Sequence, residues 1–203
     1  MSRDFLAANV SRETLERLDT YARLLEKWNP KINLVSKSTV PELWTRHILD
    51  STQVLDQAPG FGHWVDLGSG GGFPGLVVAI LAAESQPDAR FTLIESDQRK
   101  CAFLRQVARE CGLKPEILAE RIESAAPQGA DILSARALAG LEPLLGFAER
   151  HLAPGGTALF PKGARWKEEV ATAEGHWRFH CEPVRSTTES EAVILKIGGI
   201  ERV

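Results

Sequence analysis

The sequence lacks the marks of several large classes of protein. Its three cysteines, Cys101, Cys111 and Cys181, form no Cys-x-x-Cys pair, and an odd number argues against a framework of disulfides. A reducing compartment is therefore expected. Residues 1–5 carry no apolar core of a secretory signal peptide, and no apolar run is long enough to cross a bilayer. We therefore expect a cytoplasmic protein with no membrane partner.

A large net charge and the spacing of metal ligands are also lacking. The net charge is −3, so no global basic field points to nucleic acid, and any RNA contact must come from a local patch. The histidines and cysteines show no metal-ligand spacing, so no metal is expected. With 203 residues, of which 43% are hydrophobic, the chain can bury one good core but not two full ones. We therefore expect one compact unit.

The most informative feature present is a glycine-rich turn at residues 66–75, Asp-Leu-Gly-Ser-Gly-Gly-Gly-Phe-Pro-Gly. It follows an apolar run typical of a buried strand and precedes an apolar run typical of a helix. Pro74 stands where the first turn of a helix tolerates a missing N–H. Glycines allow a tight turn and a close approach of a ligand, and the helix N-terminus offers free N–H groups. This arrangement is typical of a nucleotide-cofactor site.

Residues 1–60 carry only helical signals. Apolar spacing predicts a helix over 11–28, which Asn29-Pro30 ends, and a second helix from near Pro41 to about residue 57, which Pro59-Gly60 ends. A loop at 30–40 joins them. We therefore predict an N-terminal helical cap at 1–60 and a cofactor-binding domain at 61–203.

From His63 onward, strand and helix signals alternate. The predicted strands are 63–67, 90–95, 115–118, 130–134, 156–160, 177–182 and 192–197. The predicted helices are 74–84, 98–111, 122–126, 140–151 and 166–173. Such alternation indicates an α/β fold with a parallel sheet, and the last two strands form an antiparallel hairpin because no long helix separates them. This pattern matches the seven-stranded, mostly parallel, Rossmann-like sheet of class I methyltransferases.

Two cofactors compete for the glycine turn. It satisfies the dinucleotide pattern GxGxxG, and equally a GxGxG pattern at Gly68, Gly70 and Gly72 preceded by Asp66, which resembles the first motif of S-adenosylmethionine methyltransferases. Glu95 closes the next strand, where its carboxylate can accept hydrogen bonds from ribose hydroxyls of either cofactor. The C-terminal hairpin and the absence of a second large domain favour S-adenosylmethionine. An NAD(P)-dependent oxidoreductase remains the alternative, and no Gly-Lys-Ser/Thr supports a P-loop.

Several short segments resemble one family along nearly the whole chain. Residues 28–34 (Trp-Asn-Pro-Lys-Ile-Asn-Leu), 46–51 (Arg-His-Ile-Leu-Asp-Ser) and 68–75 resemble signatures of the bacterial 16S ribosomal RNA guanine-N7 methyltransferases, also called glucose-inhibited division protein B. Phe103-Leu104, Arg136-Ala137 and Lys162-Gly163 fit as well. The resemblance implies S-adenosylmethionine as cofactor and 16S ribosomal RNA or the small ribosomal subunit as partner. We expect the enzyme to be a monomer. A non-catalytic RNA-binding assembly factor is a further alternative.

The resemblance also assigns cofactor contacts. They are Gly68, Phe73, Ile122, Glu123 and Arg136, and the residues themselves add Asp66, Gly70 and Glu95 as cofactor-binding candidates. Ile122 and Glu123 follow the third strand, where a backbone N–H and a carboxylate can read the edge of adenine. Asp66 either contacts the cofactor or supports the turn.

Transfer to guanine N7 requires few catalytic groups, because N7 presents a lone pair and no proton. The catalytic candidates are Arg136, Asn33, His47 and Asp50. Arg136 can hold a phosphate, the cofactor carboxylate or guanine O6, or can form a surface salt bridge. His47 and Asp50 act in catalysis or pack around the glycine turn, and Asn33 contacts the base or holds its own turn.

The candidate RNA-binding residues are Lys162, Arg165 and Lys167. The segment 162–167, Lys-Gly-Ala-Arg-Trp-Lys, places a tryptophan between basic side chains beside the expected active edge of the sheet. A solvated helix start is the alternative.

Overall fold

A computed structural model of the chain describes residues 2–58 and 60–203. Met1 and Pro59 lie outside the described residues, and so does the prediction that Pro59-Gly60 ends the second helix. Among the residues that are described, no helix is both long enough and apolar enough to span a membrane.

One seven-stranded sheet organises the molecule, with the order β3-β2-β1-β4-β5-β7-β6. Strands β1 to β5 pair in parallel, whereas β7 runs antiparallel to both β5 and β6. The strands are β1 (His63–Leu67), β2 (Arg90–Ile94), β3 (Glu116–Leu118), β4 (Ala130–Ala135), β5 (Leu152–Lys162), β6 (Trp177–Arg185) and β7 (Val193–Arg202). The predicted sheet and its antiparallel hairpin are therefore confirmed.

Helices cover both faces of the sheet. They are α1 (Ser2–Asn9), α2 (Arg12–Ile32), α3 (Asp50–Leu55), α4 (Gly75–Ser85), α5 (Gln98–Glu110), α6 (Leu141–His151) and α7 (Trp166–Ala173). Helices α2, α4 and α5 share one hydrophobic cluster, whereas α6 and the end of α7 pack in a second cluster against the other face. The alternation of buried strands with amphipathic helices thus produces the expected three layers.

The residues before β1 do not pack by themselves. Leu18, Tyr21 and Leu25 of α2 lie fully buried in the same cluster as Leu76 of α4 and Phe103 of α5. The N-terminal helices therefore share a core with the helices of the sheet. The division at residue 60 stays a prediction.

The prediction that Asn29-Pro30 ends the first long helix is wrong. Helix α2 continues through Pro30 to Ile32, and Asn33 then adopts a left-handed conformation (φ 49°) with its N–H donating to the carbonyl of Asn29. Proline removes the hydrogen bond to the carbonyl four residues earlier, which belongs to Glu26. Glu26 is exposed, so water can satisfy that carbonyl and the last turn survives.

The single helix predicted from Pro41 to residue 57 is also wrong. The chain instead forms a 3₁₀ helix at Lys37–Glu42, a π-helical segment at Trp44–Leu49 and α3. π-Helical turns are rare and occur frequently at functional sites. In this chain the π-helical segment contains His47, which belongs to the 46–51 segment that resembles a family signature.

Two further segments differ from the predicted helices. The predicted helix at 122–126 is a single turn closed by hydrogen bonds to the carbonyl of Arg121. Pro127 disfavours helical backbone in the residue before it, which leaves too few residues for a helix. Helix α1 was not predicted. It packs on α2 and on the π-helical segment, with Leu6 buried.

Candidate functional site

A cavity of about 770 Å³ lies at the carboxyl edge of the sheet, beyond the ends of β1, β4 and β5. One side, here called the glycine wall, is the turn at residues 68–73, which reaches the cavity with residues 68–71 and Phe73. The other side, here called the arginine wall, is Arg136 with His47, Asp50, Gln53 and Thr188. In open α/β sheets, ligands bind at this edge. The size falls within the roughly 300–1,000 Å³ typical of small-molecule sites.

The glycine wall is a tight turn held by buried neighbours. Gly72 has φ 92°, and a Cβ there would lie 2.7 Å from Cδ1 of Leu76 and 2.8 Å from the hydroxyl of Tyr21. A side chain is therefore excluded both by backbone conformation and by space. The buried Tyr21 hydroxyl donates a hydrogen bond to the carbonyl of Gly71, which ties the turn to α2. Gly68 and Gly70, both predicted cofactor residues, lie on the cavity wall as expected.

Glu95 supports the turn from behind. Its Oε2 accepts from the N–H of Gly70 at 2.9 Å, and its Oε1 accepts from the N–H of Asp97 at 2.8 Å. The residue is 8% exposed and lies one hydrogen bond behind the cavity wall. Because each carboxylate oxygen has a second lone pair, acceptor capacity remains for the hydroxyls of a ligand.

Asp66 lies beneath the turn and is completely buried. Its Oδ1 accepts from the hydroxyl of Ser134 at 2.6 Å, and that hydroxyl accepts from the indole N–H of Trp64 at 2.8 Å. Its Oδ2 has no partner within the described residues. Burial raises the pKa of Asp66 to about 6. The residue therefore links β1 to β4 and does not line the cavity, which favours the second of its two predicted roles.

Arg136 is the centre of the arginine wall. Its Nη2 donates to Nδ1 of His47 at 2.8 Å, while Nη1 donates to the carbonyl of Arg46 at 3.1 Å and to Oδ2 of Asp50 at 3.4 Å. The guanidinium carbon lies 4.9 Å from the centre of the Phe73 ring. The side chain is 17% exposed. Burial lowers its pKa, and the Asp50 carboxylate opposes that shift. Arginine stays charged in proteins, so a fixed cation faces the cavity.

His47 is held in one neutral form. Arg136 has only donors, so Nδ1 of His47 must accept, and Nε2–H then donates to the hydroxyl of Thr39 at 2.8 Å. Thr39 in turn donates to the carbonyl of Ser36. Burial and the neighbouring charge of Arg136 lower the pKa of His47 to about 4. Both ring nitrogens are thus engaged, and the ring also packs 5.1 Å from that of Phe73.

Asp50 connects Arg136 to the segment between β6 and β7. Its Oδ1 accepts from the hydroxyl of Thr188 at 2.7 Å and from Nε2 of Gln53 at 2.8 Å. Gln53 also accepts from the backbone N–H of Thr187 at 2.9 Å. The segment from 186 to 192 is therefore fastened onto α3 and forms part of the cavity wall.

Besides Asp66 and Glu95, three further residues predicted for catalysis or cofactor binding do not line the cavity in the described part of the chain. Asn33 is exposed and ends α2 in its left-handed conformation, which matches its alternative role of holding its own turn. Ile122 is buried, with its carbonyl accepting from Nε2 of His151 at 3.0 Å, and Glu123 is exposed. Neither Ile122 nor Glu123 lines the cavity in the described chain. Their cofactor roles stay predictions.

The basic candidates differ from one another. Lys162 lines the cavity, but its side chain is only 8% exposed and donates to Glu169 at 2.7 Å and to the carbonyl of Ala139 at 2.9 Å. Arg165 and Lys167 are exposed at the start of α7, and Lys167 lies 5.6 Å from the Trp166 ring. Lys162 is thus part of an internal ion pair, whereas the other two face solvent.

Sequence reasoning missed several residues of the site. Gln53 and Thr188 lie 135 residues apart, and no local pattern joins them. The polar run 186–190 was a usable signal, since it follows a strand and precedes another. The sequence around Asn29 predicts only a helix end, but Oδ1 of Asn29 accepts from the N–H groups of Leu34 and Val35 and shapes the loop that follows.

The described residues contain no group of three or more His, Cys, Asp or Glu side chains arranged to hold a metal. Comparison with solved structures shows the fold. A SAM-dependent methyltransferase from Aquifex aeolicus matches with a TM-score of 0.60 at 15% identity, over 78% of this chain and 94% of that one. The class I methyltransferase fold predicted from the sequence is confirmed.

Sequence comparison shows the family. The ribosomal RNA small subunit methyltransferase G of Ruegeria sp. (strain TM1040) is 64% identical over 98% of this chain and 97% of its own length. The protein of the same name from Ruegeria pomeroyi is 62% identical over 96% of each chain. The predictions of a methyltransferase and of S-adenosylmethionine as its cofactor are confirmed, and the NAD(P) alternative is set aside. The family model described as GidB, rRNA small subunit methyltransferase G, matches residues 14–196, and the chain belongs to this family.

Proposed function

We propose that this protein transfers a methyl group from S-adenosylmethionine to N7 of a guanine in 16S ribosomal RNA, acting as a cytoplasmic monomer. The observation that carries the proposal is the Arg136 guanidinium, fixed at the cavity by three hydrogen bonds and the Phe73 ring. A forked cation at this position can donate to O6 of guanine, which leaves the lone pair of N7 free to attack, or can bind a carboxylate. The family name supports ribosomal RNA as the acceptor.

The chemistry of N7 agrees with the groups that are present. N7 has a lone pair and no proton, so the chain need not supply a general base. His47 on the cavity wall has both nitrogens engaged and a pKa of about 4. What the chain supplies is alignment, which by itself can lower the barrier by roughly 7–11 kcal/mol in well-oriented reactions. His47 and Asp50 act through Arg136 by orienting its fork.

The residues fit the cofactor. When bound, S-adenosylmethionine supplies a methyl group on a positively charged sulfur. Gly70 and Gly71 line the cavity without side chains, and Glu95 keeps unused lone pairs for ribose hydroxyls. Arg136 offers a cation for the cofactor carboxylate, and the Phe73 ring lies on the same wall. We assign Gly68, Gly70, Phe73, Glu95 and Arg136 as contacts, with Asp66 supporting the turn.

Arg165 and Lys167 are proposed as phosphate contacts. Both are exposed beside the cavity edge, next to Trp166. Replacing both with alanine should weaken RNA binding about equally for all sequences and reduce the slope of log K against log salt by roughly 0.7 per lost contact. Filter binding at several salt concentrations measures this slope. Lys162→Met is the comparison, and because Lys162 is internally paired we expect its slope to be unchanged.

The decisive experiment uses small ribosomal subunits, and naked 16S RNA, from cells that lack this modification. Protein and methyl-labelled S-adenosylmethionine are added. The RNA is then digested to nucleosides to identify the methylated base and, in parallel, to oligonucleotides to locate it, both by mass spectrometry. Label in 7-methylguanosine at one position supports the proposal. Label on another base overturns the N7 assignment. Tight RNA binding with no label, in the presence of bound cofactor, favours a non-catalytic assembly factor instead.

A further inference from the structure

The segment between β6 and β7 touches the arginine wall through a directional set of hydrogen bonds. The Thr188 hydroxyl has one hydrogen, and Asp50 Oδ1 accepts it at 2.7 Å because a carboxylate has no donor. The Ser186 hydroxyl, 3.0 Å from that of Thr188, must then be the donor in their shared bond. Ser186 itself accepts from the N–H groups of Thr188 and Glu189. The hydroxyl hydrogens of Ser186 and Thr188 therefore lead toward Asp50, whereas the Thr187 hydroxyl donates to Oε1 of Gln53 at 3.3 Å.

Gln53 fixes the same carboxylate from the other side. Its Oε1 accepts from the backbone N–H of Thr187, so the amide can face only one way, with Nε2 toward Oδ1 of Asp50. The Gln53 residue is 7% exposed. With Oδ1 of Asp50 occupied by two donors, Oδ2 is left facing Nη1 of Arg136 at 3.4 Å. The orientation of the guanidinium thus depends on residues that do not touch it.

We propose that Gln53 and Thr188 are positioning residues for methyl transfer, which act by holding Asp50 so that the guanidinium of Arg136 faces the cavity in the orientation that transfer requires. This inference rests on the proposed function for its kinetic effect. It gives the 186–192 segment a role in catalysis in addition to its structural role of joining β6 to β7. Neither residue is a catalytic residue, because each acts through Asp50 and Arg136.

The chain offers a closely matched control. Thr52 lies on α3 beside Gln53, and its hydroxyl donates to the carbonyl of Leu49 at 2.8 Å, away from the cavity. Thr188→Val and Thr52→Val therefore make the same chemical change, and each removes the one hydrogen bond that the hydroxyl donates. Thr188→Val also removes the oxygen that accepts from Ser186. Only the first change affects Asp50. Gln53→Glu keeps the shape of the side chain but replaces the Nε2 donor with an oxygen facing a carboxylate.

The test is a double-mutant cycle with Arg136→Lys. Single-turnover methyl transfer is measured with saturating cofactor and unmodified small subunits. In the wild-type background, we expect Thr188→Val to slow transfer about tenfold, because it removes a hydrogen bond to a charged group. When residue 136 is lysine, Thr188→Val should slow transfer by less than about twofold. Thr52→Val should leave the rate unchanged in both. An equal slowing by Thr188→Val in both backgrounds would overturn the inference. It would mean that the effects of the two substitutions on the rate are independent, so that Thr188 does not act through Arg136.

A second readout does not depend on activity. In ¹⁵N-labelled protein, the Nε–H signal of Arg136 is identified by its loss in Arg136→Lys. We expect Thr188→Val and Gln53→Glu to shift this signal, and Thr52→Val to leave it in place. A signal that stays fixed in Thr188→Val refutes the positioning role. If the wild-type protein transfers no methyl group, the proposed function fails, and this signal still decides the inference.

Discussion

The two walls of the cavity are built in different ways. The glycine wall consists of backbone groups, and its supports Asp66 and Glu95 lie at the ends of neighbouring strands. The arginine wall consists of side chains from remote parts of the chain, since Asp50 lies 86 residues from Arg136 and 138 residues from Thr188. The glycine wall therefore depends on local backbone conformation, whereas the arginine wall depends on the whole fold being in place.

Removing a single side chain should reduce the rate of methyl transfer more in the arginine wall than in the glycine wall. Arg136→Ala removes the fixed cation, and we expect methyl transfer to fall by about 10²–10³-fold, as when one preorganised electrostatic donor is lost. Arg136→Lys, which keeps the charge but not the fork, should retain part of the rate. Labelled-methyl incorporation and circular dichroism measure rate and fold. Normal turnover in a folded Arg136→Ala protein would contradict the assignment.

The stability of the protein should be more sensitive to added side-chain atoms in the glycine wall. Gly70 (φ 53°) and Gly72 (φ 92°) both have left-handed backbone, which costs another residue about 1–2 kcal/mol. At Gly70 a Cβ would lie no closer than 3.6 Å to its nearest neighbour, whereas at Gly72 it would overlap buried Leu76 and Tyr21. Overpacking adds about 1–3 kcal/mol. Denaturant unfolding should show Gly72→Ala as the less stable variant, and equal losses would contradict this packing argument.

Acid should change the stabilising contributions of the two walls in opposite directions, through Asp66 beneath the glycine wall and His47 in the arginine wall. Burial raises the pKa of Asp66 from 3.8 to about 6, so its stabilising contribution is complete below pH 3.8 and is lost as the pH rises through 6. Burial lowers the pKa of His47 from 6.5 to about 4, so its contribution is present above pH 6.5 and is lost as the pH falls toward 4.

Unfolding free energies between pH 7 and pH 4.5 separate these two contributions. Asp66→Asn should make the loss of stability on acidification steeper than in the wild type, because it removes the group that gains stability there. His47→Gln should make that loss shallower. Identical slopes in all three proteins would show that neither group is perturbed as described.

The sequence predicted the glycine wall better than the arginine wall, for a physical reason. The residues from Asp66 to Glu95 form one strand-turn-helix-strand unit, in which local backbone preferences and the alternation of burial decide the geometry. All seven strands follow from the same alternation. The sequence also indicated Arg136, His47 and Asp50 as candidates, through the resemblance of their short segments to one family.

What the sequence could not predict depends on contacts between distant segments. The π-helical turn that carries His47 forms where α1 packs against it, and helical periodicity alone favours an ordinary α-helix. Gln53 looks like any polar residue on a helix until Thr187 lies beside it. The helix continues through Pro30 because the carbonyl that Pro30 leaves without a hydrogen bond belongs to an exposed residue. The rule that proline ends a helix does not take the burial of that residue into account.

The buried link from Trp64 through Ser134 to Asp66 has a practical consequence. The indole N–H shares a hydroxyl with the carboxylate, so a change in the charge on Asp66 alters the field at the ring. Tryptophan emission responds to such fields, and Trp64 is completely shielded from water. Fluorescence of Trp64, with the other tryptophans replaced by phenylalanine, should thus give a label-free optical signal for events at the floor of the glycine turn.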